Sequence, residues 1–130
     1  MRTTYKMKTI PDLSQFYGTT YYYKASAFSN LSMTDGVKHV VESVGCYWLI
    51  DVIASVQNRP KVRSNKNFII WTITSKDNKG VVRGYQDTEE DGSYSYSKCV
   101  YTQIIKYTDF PEGKFELYQV NDVLLLKGEY

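Results

Sequence analysis

The only histidine in the chain, His39, has Asp35 four residues before it and Glu42 three after. On a helix that spacing sets both carboxylates beside the imidazole and could orient it as a general base. The same periodicity turns His39 away from the apolar stripe of its helix and toward solvent, which favours an exposed surface histidine over a catalytic one. Asp51 is the one charged residue between Cys46 and Gln57. Such a carboxylate in an apolar helix is either a tuned acid or the paired boundary residue of an ordinary helix, and the second is commoner. Asp87, Glu89, Glu90 and Asp91 crowd one turn but lack the alternating ligands and central glycine of a calcium loop. They read as a solvated acidic turn. The sequence contains no nucleophile elbow, phosphate-binding glycine loop or zinc spacing. No cofactor or metal is expected, and the chain is not expected to be an enzyme.

Two other groups of residues suit binding. Arg59, Lys61, Arg63 and Lys66 fall within the polar stretch from Arg59 to Lys66, where cations and amide donors could hold phosphates. The plain alternative is a soluble basic loop. Thirteen tyrosines are the second signal. On a strand, Tyr22 of Tyr21-Tyr22-Tyr23 faces away from its neighbours, and Tyr94 and Tyr96 share a face that Lys98 continues. Tyrosine among serines gives rigid contact area with adaptable hydrogen bonds, although cross-strand tyrosine pairing uses the same residues.

Hydrophobic periodicity supplies the elements that must carry these groups. Ile10 to Tyr17 reads as a short helix opened by Pro11 and Asp12 and stopped by Gly18. Thr19 to Lys24 is β-prone and Ser26 to Ser32 a loop. Thr34 is placed to cap a helix with Val37, Val40, Val41 and Val44 on one stripe, ended by Gly45. Cys46 to Gln57 is a second helix, apolar nearly all round, which makes the pair a helical hairpin with its second member buried. Asn58 to Asn67 is a loop. Strands follow over Phe68 to Thr74, Val81 to Asp87, Ser93 to Tyr107, Phe115 to Val120 and Val123 to Leu126, the last two closed across Asn121-Asp122. The expected fold is α+β, with an N-terminal helical hairpin packed on an antiparallel β-meander of about five to six strands.

Composition sets the outer limits. A chain of 130 residues suits one domain, 1–130, with a core large enough to need no disulfide or metal. Cys46 and Cys99 belong to no paired motif and read as free thiols in a reducing, cytoplasmic setting. The basic start, Met1 to Ile10, lacks the apolar run of a signal peptide, and the longest apolar stretch is too short to span a bilayer. The net charge of +2 is too small for a generic nucleic-acid binder, yet it is uneven. Residues 1–66 hold nine cations and four anions, a net of +5, while residues 67–130 hold seven and ten, a net of −3.

Thr34-Asp35-Gly36-Val37-Lys38 leading into Tyr47-Trp48-Leu49-Ile50-Asp51-Val52-Ile53-Ala54-Ser55 is one distinctive stretch. Tyr107-Thr108-Asp109-Phe110-Pro111, followed by Val123-Leu124-Leu125-Leu126 and Glu129-Tyr130, is another. Together they resemble a family of small bacterial and phage proteins of unassigned function, often carried on mobile elements. The resemblance runs from about Leu13 onward but leaves Arg59 to Lys98 unmatched, and it brings no catalytic residues. It implies a mobile-element protein that antagonises a host system. The expected function is therefore non-catalytic binding of a bacterial protein or ribonucleoprotein, in the sharpest form a defence nuclease inhibited in anti-CRISPR fashion. Arg59, Lys61, Arg63, Lys66, Tyr22, Tyr94, Tyr96 and Lys98 are the candidate contacts. An RNA or single-strand binder centred on residues 59–66 is the second expectation, and a hydrolase using Asp51 the third.

Overall fold

Thr34 stands where the chain turns from strand to helix, and its side chain accepts the Val37 N–H at 3.2 Å. Helix α1 (Asp35–Val44) then buries Val37, Val40, Val41 and Val44 and stops at Gly45, whose φ of 75° only glycine adopts at low cost. The expected stripe and both caps are therefore present. A computed structural model of the chain describes residues 9–15, 21–26 and 29–130. Among them, two short strands, β1 (Tyr22–Lys24) and β2 (Ser32–Thr34), precede α1, and α2 (Tyr47–Ser55) and α3 (Pro60–Asn65) follow it. Strands β3 (Ile69–Lys76), β4 (Lys79–Tyr85), β5 (Cys99–Ile105), β6 (Gly113–Val120) and β7 (Val123–Leu125) complete the order.

The class is α+β, but the arrangement corrects the expected one. The helices do not lead the chain; they connect β2 to β3. The described strands form one seven-stranded sheet in the order β1-β2-β7-β6-β3-β4-β5, and β2 runs parallel to β7, so the sheet is mixed. Strands β3, β4 and β5 do form a meander. β6 then returns to pair with β3 rather than β5, which makes a Greek key. The return, residues 106–112, arches over the β3–β4 turn. There Asp77 and Asn78 take positive φ, the Thr108 N–H donates to the Asn78 carbonyl at 2.8 Å, and Phe110 is buried.

Other local expectations also change. Residues 10–15 are not helical: only Ser14 and Gln15 lie in a turn, with the Ser14 N–H donating to Asp12 Oδ1 at 3.0 Å, and residues 16–20 lie outside the described residues. Pro60 opens α3 where a loop was expected, because its fixed φ and missing N–H suit the first helical position. The expected strand over Ser93 to Tyr107 exists only from Cys99 to Ile105, after a 3₁₀ turn at Tyr96–Lys98.

Strand alternation and register sort the sheet into two faces. Ile69, Trp71 and Ile73 of β3, Val82 of β4, Leu117 of β6 and Leu124 of β7 join the buried helix residues in one core. The Trp71 ring leaves no room at Gly84 opposite: a Cβ there would lie 2.9 Å from Cζ3. Within this apolar layer sits one amide, Gln119, fully buried. Its carbonyl accepts Trp71 Nε1–H at 2.9 Å and Gln57 Nε2–H at 3.1 Å, while its NH₂ donates to Gln57 Oε1 at 2.6 Å and to the Asn121 carbonyl at 2.8 Å. Its full hydrogen-bonding capacity is thereby used.

Gln119→Leu is expected to destabilise the fold by about 3 kcal/mol despite adding apolar surface, because it strands a buried indole N–H and an amide. A urea midpoint within error of the parent protein would disprove this account of the core.

Candidate functional site

Helix α3 packs beside β5, the outermost strand, which among the described residues has a neighbour on one side only. This packing joins parts of the chain that are distant in sequence. Lys61, on the exposed side of α3, lines a groove with Tyr96, Cys99, Tyr101 and Thr102. The Arg59 guanidinium lies 5.3 Å from the Tyr101 ring centroid, within cation–π range. On the opposite face of the sheet Tyr96 borders a second groove, shared with Arg83, Tyr85, Cys99 and Thr102. Tyr96 is 91% exposed and stands between the two, with a cation in either groove. The 3₁₀ turn at Tyr96–Lys98 sets it there by breaking the strand just before β5, which carries no charged residue of its own.

The other expected contacts separate. Tyr94 and Tyr96 do not share a strand face with Lys98, because residues 93–98 are not a strand. Tyr94 folds across the sheet instead. Its ring stacks on Tyr85 at 4.5 Å, its hydroxyl donates to Glu116, and Lys114 Nζ lies 3.8 Å from its centroid. Desolvation there lowers the Lys114 pKa. Lys98 donates to the Thr88 carbonyl at 2.9 Å and lies 3.7 Å from Glu89, so it ties down the acidic loop. Tyr22 is exposed on β1, at the opposite edge of the sheet. Of the four cations in and flanking α3, Arg63 and Lys66 line a different cleft from Lys61.

The residues weighed for catalysis do not assemble. Asp51 is exposed on α2, not buried in an apolar setting, and His39 is half-buried on α1. Asp91 is held by Ser93, whose N–H and hydroxyl donate to Oδ1 at 2.9 and 2.6 Å and lower its pKa. Among the described residues no group of three metal-ligating side chains comes together. Cys46 and Cys99 are free thiols, the first buried and the second half-buried. No described helix is long and apolar enough to cross a membrane.

Sequence alone missed Arg83 and Tyr101. The signal was present in part: Arg83 is a cation in an alternating strand, but its neighbours depend on which strand pairs with β4.

A family model described as a family of unknown function (DUF6876) matches residues 7–130, and the chain belongs to that family. No curated protein and no solved structure matches the chain.

The two tyrosines should part company on substitution. Tyr94→Ala is expected to lower stability by about 2 kcal/mol, through lost stacking and burial. Tyr96→Ala should stay within about 0.5 kcal/mol, as exposed positions do. Equal effects in chemical denaturation would contradict their placement.

Proposed function

We propose that the protein is a non-catalytic binding protein that engages a bacterial nucleoprotein complex through the β5 edge. In its sharpest form it is a mobile-element inhibitor of a host defence nuclease. The observation that supports this reading is Tyr96, a rigid aromatic standing in solvent between grooves that hold Lys61 and Arg83. Interfaces favour this combination: aromatic residues and arginine are enriched at contact centres, and an exposed tyrosine loses little conformational freedom on binding. A nucleoprotein offers both surfaces the edge could use, protein for the tyrosine and phosphate for the cations. Among the described residues the neutral β5 edge beside them has no strand on its outer side, which leaves a main-chain ladder for an extended segment of a partner.

A second reading, direct binding of single-stranded RNA, is favoured by the Arg59–Tyr101 contact, since base stacking and cation–π contacts reinforce each other on such surfaces.

Capture of tagged protein from a bacterial lysate, with and without ribonuclease, separates the two readings. The expected outcome is a specific protein retained after digestion and lost when Tyr96→Ala is combined with Lys61→Glu. Retention by the double variant would remove the β5 edge as the contact. A partner lost on ribonuclease treatment, with affinity falling steeply in salt, would favour RNA.

A further inference from the structure

At the end of the sheet where Gln119 is buried, Ser29 to Leu31 ahead of β2, the end of α2, α3 and the β6–β7 turn line a cleft of about 410 Å³. Three cations reach it from separate elements: Lys24 from β1, Arg63 from α3, and Lys66 just beyond α3. Asn58 adds a neutral amide, and among the described residues Asp122 is the only carboxylate in its lining, leaving a formal charge of +2. Lys66 Nζ donates to Asp122 Oδ1 at 3.2 Å, which orients that ammonium and cancels one charge. Among the described residues neither Lys24 nor Arg63 makes an ion pair. Leu31 and Ala54 supply apolar floor.

The walls are fixed to one another through the main chain. The Asn121 N–H donates to the Lys66 carbonyl at 2.6 Å, and the Ser32 N–H donates to the Asp122 carbonyl at 2.7 Å. The β6–β7 turn is thus bonded to the end of α3 on one side and to the start of β2 on the other. Gln57 at the end of α2 is locked to Gln119. A guanidinium and two ammonium groups lining one cleft match a tetrahedral oxyanion in charge and in donors, and the bonded main chain carries all three on one frame. The dimensions match a small molecule and not a duplex or an extended strand.

We infer that this cleft binds the phosphate group of a small phosphate monoester, with Arg63 as the bidentate donor and Lys24 and Lys66 as flanking charges. The inference is independent of the β5 edge, since none of the residues in that reading lines the cleft.

Amide shifts of labelled protein would be followed during titration with inorganic phosphate and, separately, ribose 5-phosphate, at constant ionic strength so that screening does not change. Saturable one-site shifts are expected, centred on Lys24, Asn58, Arg63 and Lys66. Arg63→Gln should weaken the apparent affinity roughly tenfold, the loss expected for one charge-assisted hydrogen-bonding partner. Lys24→Gln should weaken it less, and it serves as the second test if Arg63→Gln proves unstable. Lys76→Gln, at the far end of β3, should leave binding unchanged. Shifts that never saturate, or that both cleft variants leave intact, would overturn the inference. So would binding of an RNA oligonucleotide with no response to either small phosphate.

Discussion

A single buried amide holds together the end of the molecule on which both proposed contacts depend. Gln119 sits in a layer of aliphatic and aromatic side chains, where an unpaired polar group costs far more than a satisfied one returns. Its four bonds reach β3 through Trp71, α2 through Gln57 and the β6–β7 turn through Asn121. Shifting any one of these partners strands a buried hydrogen-bonding group. The amide therefore fixes how the helical layer lies on the sheet, which apolar packing alone would specify less sharply. From the turn it holds, the main chain reaches the end of α3, and α3 in turn places Arg59 and Lys61 beside β5.

The stretches that carried the likeness to a family act as fasteners in the folded chain. Thr34 caps α1 and also donates its hydroxyl to Glu129 at 2.7 Å, while the same carboxylate oxygen accepts the Leu126 N–H at 2.9 Å. A Cβ on Gly36 would lie 2.6 Å from that oxygen, so glycine is what lets the carboxylate approach the positive end of α1. In the second stretch the Thr108 hydroxyl accepts the Phe110 N–H at 3.0 Å, and Ser75 donates to the Phe110 carbonyl at 3.2 Å. Motifs that look distinctive in the sequence are here accounted for by helix capping and a strand crossover. The surface at Tyr96 lies outside them.

Helix α1, the main strands and the β6–β7 turn were legible because local signals decide them: a threonine cap, valines at helical spacing, and an Asn-Asp pair with Asn121 at positive φ. What was illegible depends on distant partners. Ser32–Thr34 is a strand because β1 and β7 lie on either side of it, and three residues carry no period of their own. Asn58 to Asn67 reads as a loop because Pro60 interrupts the pattern, although proline also begins helices, and the cations after it conceal Val62, which is fully buried. Residues 93–98 alternate like a strand, but Tyr94 gains more by stacking on Tyr85 and bonding to Glu116 than a ladder would offer. The candidate contacts were found as types. Their grouping was not, since Lys61 and Tyr96 meet only through tertiary packing.

The bond between Thr34 and Glu129 spans 95 positions of sequence, and the parallel pairing of β2 with β7 closes a loop of similar length. Closing so long a loop costs chain entropy before any contact compensates for it. The helices can gather early through nearby contacts, but the strand that flanks them and the carboxylate beside the α1 cap arrive only with the last strand. Topology of this kind slows folding and leaves the apolar face of α1 incompletely covered in the interval. A chain emerging from the ribosome would therefore hold its helical segment unfinished until residues 123–129 had been made.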